Sequence, residues 1–372
     1  MSTDPSSKRR LAVLFGGRSG EHEVSLASAR SVLSVLNRDR YAVFEVGITH
    51  SGQWLTGKQA HAAFEGGQLD DLTACTILPD PTRQGLYALK EGHLELITSL
   101  DVVFPVLHGT YGEDGSLQGL LEMADLAYVG AGVTGSSVGM DKGIFKDVIR
   151  ANGIPVVESI IVLRSQIERD IDIVLDQAEA LAPYPLFTKP ANLGSSVGIS
   201  KCKSRADLGE GLLEAAAYDR RILVERGLDA REIEVSVLGN DQPQASVPGE
   251  VLPSREFYSY EAKYEDGSSG LVIPAQLSPE QTDLLCKLAI QATKAIDCAG
   301  MARVDFFLEK GSGKIYLNEV NTIPGFTSIS MYPKLWAASD LPYANLVERL
   351  IQLAIERKNE RNRTERRFRR TS

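Results

Sequence analysis

The sequence predicts a mixed α/β and α+β chain: an open parallel α/β domain at the N-terminus, then two units in which helices and longer strands alternate less regularly. Three observations carry that prediction. The first 130 residues repeat a strand–helix–strand rhythm, and a glycine turn follows directly on the first apolar run. From residue 230 onward the apolar runs lengthen.

The elements follow in order. Leu11–Phe15 reads as a buried strand, FGGRSG as the turn after it, and Val24–Leu36 as a helix by its apolar spacing. Tyr41–Ile48 and Asp101–Leu107 are further strands, and Ser116–Ala124 suits a helix. Asp141–Ala151 is a helix ended by Asn152-Gly153. Short strands are expected at Val156–Leu163, Leu186–Lys189, Gly198–Lys201 and Ile222–Glu225, with helices near 166–181 and 205–217. Longer strands lie in REIEVSVLG, QASVPGEVL, LVIPA, MARVDFFLE and KIYLNEVN, interrupted by a strong helix at 279–297.

A chain of 372 residues exceeds one ordinary core. The divisions expected are 1–130, 131–229, 230–358 and a disordered basic tail, 359–372. The C-terminal stretch RKNERNRTERRFRR carries eight basic residues from Arg357 to Arg370 and reads as a solvated, frayed helix end. The net charge of −9 argues against general nucleic-acid binding. No apolar run approaches the roughly 18 residues that span a bilayer. The polar start MSTDPSSKRR lacks a signal-peptide pattern, so a cytoplasmic location is expected. Cys75, Cys202, Cys286 and Cys298 have no metal-knuckle or redox spacing and read as reduced thiols.

Gly300–Asn321 is the most informative stretch. Alternate side chains of a strand share a face, so Ala302, Val304, Phe306 and Leu308 group against Arg303, Asp305 and Phe307. After the turn EKGSGK, strict alternation puts Ile315, Leu317, Glu319 and Asn321 together. In a hairpin with aligned faces, Asp305, Glu319 and Asn321 converge beside Arg303. Two carboxylates and an amide are hard oxygen donors suited to Mg²⁺. A solvated sheet face, with Arg303 neutralising Asp305, accounts for the same residues, and this segment alone does not separate the two.

Lys189 closes an apolar strand and is followed by small residues, Gly194-Ser195-Ser196-Val-Gly198, whose backbone amides could wrap phosphate oxygens. It is no Walker loop, and a plain hairpin turn remains an alternative. The turn FGGRSGEHEVS has the spacing G-G-x-x-G rather than the dinucleotide pattern. Glu21 and Glu23 would repel a pyrophosphate there, whereas an acid suits a substrate ammonium. His108 ends a strand, where a histidine is often only structural.

Together these residues resemble the D-alanine–D-alanine ligase family. The resemblance runs from Leu11 to Ile355 through GGRSGEHEVS, HGTYGEDGSLQG, GMDK, KPANLGSSVG, YEAKY, GMARVDFF and NEVNTIPGFTSISMYP, in that order. Thr188 departs from the pattern, standing where the family usually has an aliphatic residue, and the basic tail lies outside it.

The resemblance implies an ATP-grasp fold, with ATP between the central and C-terminal domains and an acyl phosphate formed on the first of two D-alanines. It implies that Asp305, Glu319 and Asn321 hold two Mg²⁺ or Mn²⁺ ions, with a monovalent cation as a further candidate. Lys142, Lys189, Ser195, Ser196 and Asn318 would serve ATP. Glu225 and Glu232 would reach adenine and ribose, with Leu228 and Phe307 at the base. Arg303 and the Gly325 amide would stabilise the tetrahedral oxyanion. Glu21 would take the first ammonium with His108 nearby, in a cluster with Ser195 and Tyr264. Ser330, Met331 and Lys263 would serve the second alanine. A homodimer is also implied, and residues 254–270, with three tyrosines, read as a lid. Two alternatives stay open: a ligase forming a D-alanyl–D-lactate ester, against which Lys263 and Tyr264 speak, and a non-catalytic relative, against which the retained ligands and Arg303 speak.

Overall fold

A computed structural model describes residues 8–194, 197–252, 270–327 and 329–366. Three sheets organise it. The first contains β1 (Arg9–Gly16), β2 (Tyr41–Ile48), β3 (Trp54–Thr56), β4 (Thr73–Ile77), β5 (Gly85–Lys90), β6 (His93–Ser99), β7 (Val102–Pro105) and β8 (Ala127–Tyr128). Helices α1 (His22–Val35), α2 (Ala60–Gly66) and α3 (Ser116–Met123) accompany it. The strand order is β6-β5-β4-β3-β2-β1-β7-β8.

β1 pairs in parallel with β2 and β7, and β7 with β8, as the strand–helix–strand rhythm requires. From β2 outward the pairing is antiparallel, because short turns such as Thr49–Gln53 reverse the chain without a crossover helix. The sequence reading had not resolved this extension. β6 is exposed along most of its length and lacks a clear apolar alternation.

The second sheet is wholly antiparallel, in the order β11-β10-β12-β9, built from β9 (Ser159–Leu163), β10 (Leu186–Pro190), β11 (Ser200–Cys202) and β12 (Arg221–Arg226). Helices α4 (Val133–Met140) and α5 (Lys142–Ala151) precede it and pack with the third sheet's core, while α6 (Arg164–Arg169), α7 (Ile171–Glu179) and α8 (Arg205–Tyr218) cover the second sheet itself. The single helix expected near 166–181 is two, because Asp170 turns extended and its side chain caps a new start by accepting from Asp172 N and Ile173 N. Thr188 is fully buried on the side opposite Lys189, where a Cβ on Gly211 of α8 would stand 2.6 Å from its Oγ1. Its departure from the family pattern therefore bears on helix packing rather than on the nucleotide side.

The third sheet runs β16-β15-β13-β17-β18, with β14 beside β13. Its strands are β13 (Ala230–Gly239), β14 (Gln244–Ala245), β15 (Gly249–Leu252), β16 (Gly270–Val272), β17 (Gly300–Glu309) and β18 (Ile315–Asn321). Helix α9 (Pro279–Ala295) starts on a Ser278/Gln281 capping box with proline at its first position. α10 (Met331–Ala337) and α11 (Tyr343–Arg361) end the described chain. The expected start of the tail, residue 359, falls inside α11, whose end is tied down by Arg361 to Glu122 and Asp125. Residues 367–372 lie outside the described residues.

The cores do not follow the sheets one to one. Leu346, Leu350, Ile351 and Leu353 of α11 share a buried cluster with Leu11, Val13 and Phe15 of β1 and with Ala29 and Val32 of α1. The second sheet has a cluster of its own around Val162, Leu186, Leu212 and Val224.

One irregularity decides the chemistry. Asp305 pairs with Glu319, but Phe306 pairs with Leu317, so Asn318 is an extra residue, a β-bulge. Ile315 and Leu317 therefore enter the core while Glu319 and Asn321 face the other way. Strict alternation had put all four on one face; the bulge corrects that and puts Glu319 and Asn321 on the face of Arg303 and Asp305.

Candidate active site

One cavity between the three sheets is lined by Glu21, His108, Lys142, Gly194, Arg303, Glu319, Asn321, Gly325, Ser330 and Met331, among others. Each arrives there for a local reason. The turn after β1 needs glycine at position 16: φ is +84°, and a Cβ would lie 2.3 Å from the Ile48 carbonyl oxygen. Ser25, one turn into α1, holds this bend by accepting from Gly16 N at 2.8 Å and donating to Val106 O. Glu21 then sits at the N-cap of α1. Its carboxylate lies so near two glycine loops that a Cβ on Gly109 or Gly194 would come within 2.6 or 3.0 Å of Oε2.

His108 is buried, and both ring nitrogens are engaged. Ile323 O can only accept, so Nδ1 carries the hydrogen at 2.9 Å; Nε2 then accepts from the Ser28 hydroxyl at 3.0 Å. The same hydroxyl accepts from Phe326 N at 3.2 Å. Burial lowers the imidazole's pKa despite the nearby Glu21 charge. His108 thus ties α1 to the loop carrying Gly325.

Glu113 makes a parallel tie, with Oε2 accepting from Gly109 N at 2.8 Å and Oε1 from Ile323 N at 2.9 Å. Burial first, and Glu21 second, push its carboxyl up to about 8. Within HGTYGEDG the local pattern does not distinguish Glu113 from the neighbouring Asp114.

The third sheet presents a charged row. Glu234 of β13 and Glu319 of β18 flank Asp305 of β17 in register. Arg303 donates to Asp305 through Nε and a terminal nitrogen at 2.8 and 2.7 Å, and its Nε stands 3.0 Å from Glu234. Burial would lower the Arg303 pKa; Asp305 and Glu234 outweigh it, so the group stays charged. Asn321 Nδ2 donates to Asp305 at 2.9 Å, which leaves its carbonyl oxygen as the atom for a cation. One step along the face, Phe307 pairs with Glu232. Asn318 sits at the bulge, and Leu228 in the connection between β12 and β13. Glu234 had been missed, though it alternates with Glu232 in REIEVSVLG.

Opposite this face stand the lysines. Lys142, first in α5 after the Asp141 cap, donates to Leu193 O at 2.7 Å and lies 3.8 Å from Glu319. Lys189 of β10 donates to Glu225 of β12 at 2.5 Å, and Lys146 of α5, unread in the sequence, stands 2.6 Å from the other carboxylate oxygen. Burial alone would raise Glu225; the two ammonium groups prevail and hold it at about 2.

Ser330 Oγ accepts from Thr327 N at 3.0 Å and lies 2.8 Å from Thr327 Oγ1; a Cβ on Gly325 would stand 2.7 Å from it. Ser195, Ser196, Lys263 and Tyr264, and the expected lid, lie outside the described residues, save Gly270 at the lid's end.

A small antiparallel sheet and the adjacent helix α5, together carrying the lysines, facing a larger sheet carrying carboxylates across a cleft, define the class as an ATP-grasp ligase. The family is fixed by two models: D-ala D-ala ligase N-terminus matches residues 10–131, and D-ala D-ala ligase C-terminus matches residues 148–352. The chain belongs to the D-alanine–D-alanine ligase family. It is 49% identical over 356 residues to a D-alanine–D-alanine ligase of Thermoanaerobacter sp. (strain X514), covering 95% of this chain and 98% of that one. Among solved structures it resembles the D-alanine-D-alanine ligase from Coxiella burnetii (TM-score 0.79, 37% identity, 96% of each chain). It also resembles the VanG D-Ala:D-Ser ligase from Enterococcus faecalis (TM-score 0.84, 34% identity, 94% of this chain and 100% of that one). Among the described residues no helix is long and apolar enough to cross a membrane.

Proposed function

We infer that this chain joins two D-alanines at the expense of ATP, through an acyl phosphate on the first, in making the cell-wall dipeptide. The observation that carries this reading is the meeting, in one cavity, of an ammonium-seeking carboxylate (Glu21), a half-buried guanidinium (Arg303) and a carboxylate-seeking hydroxyl (Ser330), between the lysine and acidic faces.

A carboxylate is a poor electrophile, and phosphorylation supplies its leaving group. Lys142 and Lys189 would steady the ATP phosphates, and Glu225, Glu232, Leu228 and Phe307 the nucleoside, with Asn318 beside them. Asp305, Glu319 and Asn321, all hard oxygen donors on one face, fit a divalent cation, Mg²⁺ or Mn²⁺, which when bound neutralises phosphate charge. Glu21 would hold the first alanine's ammonium and keep it protonated. His108, with both nitrogens occupied, positions Gly325 rather than touching substrate through a nitrogen. Arg303 and the Gly325 amide would receive the oxyanion, an effect of about 3 kcal/mol per donor where it has been measured. Ser330 and the Met331 amide would hold the second carboxylate. Assembly as a homodimer is part of the reading, and sedimentation tests it.

The decisive assay is phosphate release with D-alanine, D-serine, D-lactate and L-alanine side by side, with the product identified. D-alanine alone should support full turnover and yield the dipeptide. A higher kcat/KM for D-serine or D-lactate as the second substrate would overturn the assignment.

A further inference from the structure

We propose that Lys146 is a positioning residue for the nucleotide: it holds Glu225 in place so that Lys189 can leave that carboxylate and turn to ATP. The proposal rests on the reading above that Glu225 and Lys189 serve ATP.

The geometry separates the two lysines. Both pair with Glu225, Lys189 at 2.5 Å through one oxygen and Lys146 at 2.6 Å through the other. Lys189 is 12% exposed and stands on the strand that runs into the Gly194 loop, whereas Lys146 is 2% exposed, among Phe145 and Ile149 of an apolar helix face. Only Lys189 can meet a ligand in the cleft. A buried carboxylate left with no cation carries a heavy desolvation penalty. If Glu225 had Lys189 alone, turning Lys189 towards phosphate would strand it. With Lys146 fixed behind, Glu225 keeps a countercharge and a free lone pair for a donor such as an exocyclic amine. Lys146 also stands one helical turn after Lys142, so one rigid helix fixes both ends of the nucleotide site.

The charged groups facing this pair are Lys189 from β10 and Arg150 one turn further along α5, itself paired outward with Asp147. Removing Lys146 therefore leaves the upward push of burial on Glu225 opposed by Lys189 alone. Glu225 should then take up a proton within the assay range. In Lys146→Met the KM for ATP should climb several-fold as pH falls from 8 to 6, a range over which the native value stays level. Both D-alanine KM values should stay level, and Lys146→Arg should restore the native profile. If the methionine variant does not fold, Lys146→Gln, which keeps length and a donor, takes its place.

Glu225→Gln and the double variant complete the test. Glu225→Gln alone should raise the ATP KM, and adding Lys146→Met should raise it little further. A flat ATP profile in Lys146→Met, an equal rise in all three KM values, or full additivity in the double variant would overturn the positioning role. An unchanged ATP KM in Glu225→Gln would instead overturn the nucleotide reading of Glu225 on which it stands.

Discussion

Replacing Glu113 with glutamine should change how the stability of the whole enzyme depends on pH. In the native protein the Glu113 carboxyl is raised from 4.5 to about 8 by burial and by the Glu21 charge. A folded-state pKa above the unfolded one means the folded chain keeps a proton that the unfolded chain has lost. Stability is therefore highest below the unfolded pKa and declines as pH rises towards about 8. The full slope is about 1.4 kcal/mol per pH unit, or about 4 kcal/mol from pH 5 to pH 8. Glu113 borders the cavity and is only partly covered, so water there reduces this to about 2 kcal/mol. For a chain of this size that is about 3 °C in Tm. Glutamine cannot titrate, so its contribution is flat. It also keeps one acceptor for two amide donors, Gly109 N and Ile323 N, at a constant cost of about 1–3 kcal/mol. The variant should thus melt below native at pH 5, and the gap should narrow by about 3 °C at pH 8. Thermal scans in matched buffers at both values measure it. Parallel pH curves for the two proteins would refute the argument.

Three further outcomes follow from the cavity. Glu319→Gln should abolish ATP-dependent phosphate release at ordinary Mg²⁺ while leaving the melting curve near native; near-normal turnover would remove Glu319 from the cation site. Ser330→Ala should chiefly raise the second D-alanine KM, whereas Glu21→Gln should impair the first site and acyl-phosphate formation. Initial rates over a wide D-alanine range separate the two constants, and a change confined to the first-site constant in Ser330→Ala would reverse the pocket assignment. Gly325→Ala would put a methyl 2.7 Å from Ser330 Oγ, so it should mimic Ser330→Ala in the second KM and lower kcat as well; native kinetics would mean the loop has room that its geometry does not suggest.

Much of the site was legible because strand alternation is a local signal. Arg303, Asp305 and Phe307 could be placed on one face from the residues of β17 alone. The partner strand could not be placed so cleanly, because a bulge is set by pairing and leaves no mark in a two-residue period. Ile315 and Leu317 were therefore grouped with the wrong neighbours, although the convergence of Glu319 and Asn321 on Arg303 was anticipated. Lys146 had a usable signal: a lysine between Phe145 and Ile149 on an apolar helix face demands a buried partner. That the partner is Glu225, on a different element, depends on packing that a single sequence does not display. The same holds for Glu113, whose two donors come from adjacent loops that lie more than 200 residues apart in the chain. The antiparallel run β3 to β6 was missed because its strands are short and its outer strand is exposed, so no apolar period marks it.

The sharing of one buried cluster by β1, α1 and α11 has a consequence for how the chain is made. A ribosome delivers β1 and α1 first and α11 last, so Leu11, Val13 and Ala29 await Leu346, Leu350 and Ile351 through nearly the whole of translation. The first sheet can form its hydrogen bonds during that interval, but it cannot hide its apolar face. Nascent chains should therefore depend on holding factors until synthesis is complete, and a fragment stopping near residue 130 should be sticky and poorly expressed. The second sheet, with a cluster of its own, is the part that can mature while the rest is still being assembled.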